Sequence, residues 1–360
     1  MSDNYKKITR KVIAEKVGAS VSVVSRALNN SGYVSADKKK RIIEVANELG
    51  YSPNPIAMAL QQQKTYQLLF FCSDMTGAYF NQMHHGMVKA AESRGYHIQA
   101  ISNLYKYDIV KRIFVDGILF PTESIAEEFI DSVGKNYHIP AVTASFEPTK
   151  TYRKPIPSVV IDNYKVINGL IDYLMSHGHR KIGFILPFNT GYATPRYNYW
   201  KERMNHELGD GYAKYLIDVN DEAETPKLFN RHERLGYNCD ETGFVFYDLI
   251  SLGRKAADIY MKSKSKATAY IVYNDDLAFG FMQEIIKKGV SIPRDLSIVG
   301  IDGIYTRKHF EPKLTTMSLY PDRHGALVVN LLIDILEGKK YKYIGHAPYG
   351  ILEGETVRSI

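Results

Sequence analysis

Residues Ile8–Asn29 read I-T-R-K-V-I-A-E-K-V-G-A-S-V-S-V-V-S-R-A-L-N, and residues Val34–Leu60 read V-S-A-D-K-K-K-R-I-I-E-V-A-N-E-L-G-Y-S-P-N-P-I-A-M-A-L. Thr9 is placed to cap a helix of about Arg10–Val17 that Gly18 ends. Ser20 caps a second helix of about Val21–Asn29, and Ser35 a third of about Ala36–Leu49 closed by Gly50. Ile13, Val17, Val24, Leu28, Ile42, Ala46 and Leu49 recur at helical intervals and supply the core of a small three-helix domain.

Short helices broken at this spacing are those of a helix-turn-helix, which seats its second helix in the major groove of DNA. Val21 and Ser22 then face base edges, and Arg26, about one turn on, can bond bidentately to guanine. Thr9, Ser20, Ser25, Asn29 and the run Lys38–Arg41 suit phosphates, and Tyr33 belongs to the same contact set. A run such as Lys38–Arg41 alone is ordinary solvated surface; the capped pattern around it gives it meaning. Residues 1–64 hold eleven Lys/Arg against five Asp/Glu, so nearly all of the formal charge of +7 sits in the first sixth of the chain. A charge gathered this way suits a polyanion.

The 360 residues are too many for one ordinary domain, and 45% hydrophobic content allows sizeable cores. Cys72 and Cys239 stand far apart, which argues against a disulfide framework or a zinc site. No apolar run resembles a signal peptide or reaches membrane-spanning length, so a reducing cytoplasm is the expected compartment. No G-x-S-x-G, P-loop or G-x-G-x-x-G is present, so neither an enzyme nor a bound cofactor is expected.

After the third helix, Pro53 and Pro55 break the chain, and Ile56–Leu60 offers one or two helical turns. So short a helix is marginal in water and needs DNA or its own copy to pack against. The sequence V-S-x-x-x-V-S-R-x-L-N, then V-S, then E-L-x-Y-x-P-N-x-x-A-x-x-L resembles the lac repressor and galactose repressor family. The resemblance implies that Leu60 is an apolar wedge for the minor groove, with Asn54 and Ala57 lining the same hinge helix; linker packing is the alternative for Leu60. Met58 departs from the Arg that many members carry there.

From Tyr66 the pattern changes to short apolar runs (67–72, 96–101, 116–120, 140–143, 158–161, 181–186, 269–273, 296–300 and 315–319) separated by helical stretches. Such alternation implies parallel sheets covered on both faces, in two α/β lobes with a cleft between. Ile161-Asp162-Asn163, His177–Gly183, Asn274-Asp275, Ile292–Asp302 and Pro312–Thr316 extend the resemblance over nearly the whole chain. It implies an α/β fold: a three-helix helix-turn-helix head joined by a hinge helix to a type I periplasmic-binding-protein-like body. The expected division is a head at 1–52, hinge helix and linker at 53–65, and an effector-binding, dimerising body at 66–360. Within the body, lobe 1 is expected at about 66–161 and 313–339, and lobe 2 at about 162–302 and 340–360. The stretch between Ile101 and Val115 is shorter than the family usually has, and Val166 stands where a Gly is usual.

Ligands in such sheets bind outside the carboxyl ends of the strands. Asn274, Asp275 and Asp302 follow strands, Arg196 precedes a helix bearing Trp200 where the resemblance places the family's sugar-binding arginine, and Asp74, Tyr79 and Phe80 follow the first strand. Carboxylates accept from vicinal hydroxyls, Arg donates to two oxygens, and aromatic faces stack on a sugar ring. Asp275 as a helix cap, Asp302 as a turn residue, and Tyr79 and Phe80 as core remain alternatives, while Trp200, His177 and His179 read as packing, surface or capping residues.

The expected function is a transcription regulator, most often a repressor in this family, bound to a pseudo-palindromic double-stranded operator as a homodimer. A small molecule, a sugar before a purine, controls it. A sugar-binding transport protein is the competing expectation. The cationic head argues against it.

Overall fold

The computed structural model describes residues 8–72, 77–101, 110, 112–134, 137–146, 156–187, 194–219, 237–239 and 245–360. The chain divides into two units, 1–65 and 66–360.

In the first unit, α1 (Arg10–Val17), α2 (Val21–Leu28) and α3 (Ala36–Glu48) enclose one core, followed by α4 (Pro55–Gln62). Thr9 Oγ1 accepts from Val12 N at 3.5 Å and Ser20 Oγ from Val23 N at 3.3 Å, each satisfying an orphan donor of a first turn. Gly18 ends α1 at φ 62°, and Tyr51 N closes α3 on Ala46 O at 2.8 Å. Ser35 is a correction: it occupies the N-cap position of α3 but makes no side-chain cap bond there. Ile13, Val24, Ile42 and Ala46 are buried as expected, joined by Ala14, Ala27 and Val45, while Val17, Leu28 and Leu49 pack around them partly exposed. Pro55 takes the first position of α4, where its missing N–H is no loss, and the helix runs past the expected Leu60 to Gln62.

The second unit holds two six-stranded sheets. The first joins β1 (Gln67–Phe71), β2 (His97–Ile101), β3 (Gly117–Phe120), β4 (Ala141–Ser145), β5 (Ser158–Val160) and, far along the chain, β13 (Ile344–His346). Its order is β13-β5-β4-β3-β1-β2, parallel throughout. The second joins β6 (Ile182–Leu186), β7 (Leu216–Asp218), β10 (Ala269–Val272), β11 (Ser297–Asp302), β12 (Thr315–Ser318) and β14 (Gly350–Leu352) in the order β14-β12-β11-β10-β6-β7. Only β14 runs antiparallel, against β12. A small ribbon, β8 (Tyr237–Cys239) and β9 (Val245–Tyr247), stands apart from both sheets. Strands β3, β4, β6 and β11 are buried along their whole length, as sheets covered on both faces require.

The helices are α5 (Ala78–Ser93), α6 (Glu123–Val133), α7 (Asn163–Ser176), α8 (Thr194–Leu208), α9 (Leu249–Lys262), α10 (Asp275–Lys287) and α11 (Pro321–Leu336). In each lobe a helix pair crosses through reciprocal glycines. A Cβ on Gly86 of α5 would stand 1.9 Å from Asp322 O, and one on Gly325 of α11 2.2 Å from Met83 O. In the other lobe a Cβ on Gly280 of α10 would stand 1.9 Å from Ile250 O, and one on Gly253 of α9 2.2 Å from Leu277 O. Backbones this close exclude any side chain at the crossing.

The expected lobe boundaries are corrected. Residues 313–339 do not form one lobe-1 segment: Thr315–Ser318 pairs with β11 in the second sheet, and only then does the chain cross to place α11 against α5. Nor does 340–360 lie wholly in lobe 2, since Ile344–His346 pairs with β5 of the first sheet. The second sheet needs β12 as its fifth parallel strand before the chain can leave it, so the crossings fall at 161–162, 319–320 and 347–349. The short stretch noted after Ile101 lies largely outside the described residues; Val166 is buried on α7. His179 is not a surface or capping residue. It is buried between Thr268 Oγ1 (2.9 Å) and Arg358 O (3.1 Å), and burial lowers its pKa. Trp200 is core, its indole N–H donating to Ile182 O at 3.2 Å. Among the described residues no helix is long and apolar enough to cross a membrane.

Candidate functional site

In the body, several chemistry-bearing side chains converge where strands of both sheets end. Arg196, on the first turn of α8, is 5% exposed. Its Nε donates to Asn163 Oδ1 at 3.1 Å and its Nη1 to Tyr273 O at 2.6 Å. Its Nη2 lies 3.7 Å from Asp302 Oδ1, and its guanidinium carbon sits 5.0 Å from the Tyr273 ring centroid. Asn163 opens α7 just after the first lobe crossing, and its amide also donates to Phe146 O. One side chain at a crossing therefore touches both the first-lobe loop and the second-lobe arginine.

Asp302 ends β11 at φ 125°, a conformation that an L-residue holds only under strain of about 1–3 kcal/mol. Burial pushes its carboxyl up to about 7, and Asp276 adds to the rise, while Arg196 and a hydrogen bond with Asn274 oppose it. Asn274 caps α10, its Oδ1 accepting from Leu277 N at 3.0 Å. The adjacent Asp275 is wholly buried. Its Oδ2 accepts from Gly303 N (2.8 Å) and Ile304 N (3.0 Å), and its Oδ1 from Thr316 Oγ1 (2.6 Å). The cap reading of Asp275 is thereby corrected: Asn274 caps the helix, and both carboxyl oxygens of Asp275 accept hydrogen bonds from within the protein. Asp275 braces the loop that carries Asp302 against β12. Burial and the nearby Asp302 hold its carboxyl well above the usual range.

The first lobe contributes Tyr79 and Phe80 from the first turn of α5, their rings 5.5 Å apart and edge-on, with Phe146 5.7 Å from Tyr79. The Tyr79 hydroxyl lies 3.1 Å from His324 Nδ1, and His324 Nε2 lies 2.9 Å from Val159 O. A carbonyl only accepts, so Nε2 carries the imidazole proton and Nδ1 accepts from Tyr79. Burial lowers the His324 pKa to about 4, which leaves the ring neutral at pH 7. Burial raises the Tyr79 pKa, Asp302 raises it further, and Arg196 lowers it, so the charges of the second lobe act on the first-lobe tyrosine.

Arg196, Asn274, Asp302, Tyr79 and Phe80 are thus brought together, and Asp275 lies behind them. Asp74 lies outside the described residues. Sequence reasoning assigned no role to Tyr273, Phe146 and His324, and did not separate Asn163 from its motif. Phe146 and Tyr273 each follow a strand end, the one available signal; nothing local marks His324.

On the head, α2 exposes Val21 (46%), Ser22 and Arg26 on one side, and the Arg26 stem lies against Gly32. Tyr33 and Leu60 are 86% and 72% exposed. Asn54 is exposed before α4, and of Ala57 only the helical backbone is described. Thr9 and Ser20 use their hydroxyls as caps. Ser25 and Asn29 accept hydrogen bonds from Arg10, which the sequence reading had not singled out.

A helix-turn-helix head followed by a two-lobed body with polar side chains gathered at the strand ends defines the class: a DNA-binding regulator with a small-molecule domain. Residues 10–54 match the model of bacterial regulatory proteins of the lacI family, and residues 171–356 that of the periplasmic binding protein-like domain. The chain is similar to the probable HTH-type transcriptional repressor ExuR of Bacillus subtilis, 27% identical over 93% of each chain. It is also similar to the HTH-type transcriptional repressor PurR of Pasteurella multocida, 25% identical over 92% of each. Among solved structures, the lac repressor dimer bound to operator and the anti-inducer ONPF has a TM-score of 0.77 at 19% identity, covering 98% of this chain and 100% of that one. The chain thus joins a head that matches the lacI family to a body that belongs to the periplasmic binding protein-like family.

Proposed function

We propose that this protein is a repressor that binds a pseudo-palindromic operator as a homodimer and is controlled by a small sugar held between its lobes. The observation that carries the effector reading is the buried Arg196–Asp302 pair beside Asn274, with the Tyr79–Phe80 aromatics on the other lobe. Asp302 accepts from sugar hydroxyls, the nearby Arg196 and Asn274 orient and donate, and the aromatic edge covers the apolar face of the ring. Asp74 is proposed as a further effector contact. Val21, Ser22 and Arg26 read bases, Tyr33 and Asn54 support the contact, and Leu60 with Ala57 enters the minor groove. Effector binding shifts the balance between two lobe arrangements, and the eight-residue α4, too short to be stable alone, forms or melts with it. The Tyr79–Phe80–Phe146 group also suits a flat heterocycle, which makes a purine the second reading.

A thermal-shift panel of monosaccharides, disaccharides and purines, paired with anisotropy on duplex from the chain's own upstream region, tests this. Arg196→Ala should weaken the active ligand at least about tenfold, as loss of a charge-assisted bond does, and leave DNA affinity intact. Leu60→Ala should do the reverse. Sugars and purines alike giving no shift in wild type, or an Arg196→Ala protein that still responds fully, refutes the site.

A further inference from the structure

Arg10 opens α1, and its guanidinium is spread over three neutral acceptors. Nε donates to the Tyr51 hydroxyl at 3.1 Å, Nη1 to Ser25 Oγ at 3.0 Å and Nη2 to Asn29 Oδ1 at 3.4 Å. These use three of the five N–H groups of an arginine. Among the described residues no Asp or Glu forms an ion pair with it. Two Nη N–H groups remain. The Ser25 and Tyr51 hydroxyls accept from Arg10, so each keeps its own proton to donate. Four donors and a full positive charge therefore gather at one point with no carboxylate among them, and a partner that accepts and is negative completes the set.

The place of the cluster narrows the partner. Ser25 and Asn29 lie on the same side of α2 as Val21, Ser22 and Arg26, at 100° per residue. Tyr51 comes from the turn after α3, so three segments of the head fix the guanidinium in place. A cation held at three points beside a base-reading face is ordered before binding. It is tied too firmly to search a groove for a base edge.

We propose that Arg10, held by Ser25, Asn29 and Tyr51, is a docking point for a backbone phosphate of duplex DNA. The proposal rests on the DNA-binding reading of the head, and the test separates the two. Full-length wild type, Arg10→Met and Arg10→Lys are titrated by anisotropy with a short random-sequence duplex between about 50 and 200 mM salt. Each phosphate contact contributes about 0.9 to the slope of log affinity against log salt. Arg10→Met should lower the slope by about that amount per head bound and weaken random and upstream duplexes by the same factor, because a phosphate contact carries no sequence information. Arg10→Lys, which keeps a point charge, should restore most of the slope. Circular dichroism and urea midpoints establish that both variants fold. Weaker binding by Arg10→Met with the wild-type slope, or a loss confined to the upstream duplex, overturns the proposal and leaves Arg10 as a brace within the head. Wild type that shows no salt-dependent binding to either duplex overturns the DNA reading itself.

Discussion

Gly280→Ala is the sharpest test of the body. The new methyl would stand 1.9 Å from Ile250 O and 2.7 Å from the carbon of the same carbonyl. Ordinary contact begins near 3.5 Å, so α9 and α10 must separate by about 1.5 Å at their crossing. A Gly-to-Ala change in a helix is worth about 1 kcal/mol in favour of Ala where space allows. Here the obstacle is helix backbone, which cannot rotate away, and overpacking costs about 1–3 kcal/mol, occasionally more. The clash outweighs the propensity, and a net loss of about 2 kcal/mol is expected. The displacement also reaches the proposed effector site, because α10 begins beside Asn274, which bonds Asp302, and with Asp275, which braces its loop. Gly169→Ala on α7 is the control: the nearest atom is the Met317 terminal methyl at 3.3 Å, the far end of a flexible chain, so that variant should be neutral or more stable by up to about 1 kcal/mol. Urea unfolding followed by the fluorescence of Trp200, the only tryptophan and buried in the same lobe, reads both. A Gly280→Ala midpoint at or above wild type, or a Gly169→Ala loss of equal size, refutes the reasoning.

Two further outcomes are expected of the site. Asp302 holds its proton up to about pH 7 in the native state and only to about pH 4 when unfolded, so its contribution to stability is fully present below about pH 4 and lost as pH rises to about 7, by at most about 1.4 kcal/mol per pH unit. Asp302→Asn should therefore lose less stability than wild type between about pH 5 and pH 8, and parallel profiles in urea would count against the buried carboxyl. Tyr79→Phe removes the donor to His324 Nδ1 and leaves a buried acceptor unmet, which should cost about 1–3 kcal/mol; an unchanged unfolding midpoint would show that this bond is not made.

Much of the head was legible because its signals are local. Thr9, Ser20 and Gly18 act within four residues of where they stand, and Ile13, Val24, Ile42 and Ala46 follow from helical periodicity alone. Ser35 shows the limit, since a capping residue type at a capping position made no side-chain bond. In the body the apolar runs marked the strands of both sheets well, but β7, β13 and β14 are three residues each and partly or wholly exposed, too short for a period to register. The crossings depended on which sheet claimed β12, a matter of strand pairing across more than ten residues of chain.

Residue type and spacing alone determined that this chain has a capped three-helix head rich in cations, then a proline break with a short helical stretch, then alternating strands and helices whose polar residues follow strand ends. Only the tertiary structure decided which of those polar residues face one another. Two neighbours, Asn274 and Asp275, became a cap touching Asp302 and a brace sealed behind it, and Arg10 became the centre of a cluster drawn from three segments. The physical reason is that caps and periodicity are set by the nearest turn of chain. Burial and donor pairing are set by segments tens to hundreds of residues away, whose positions follow from packing and not from neighbouring sequence.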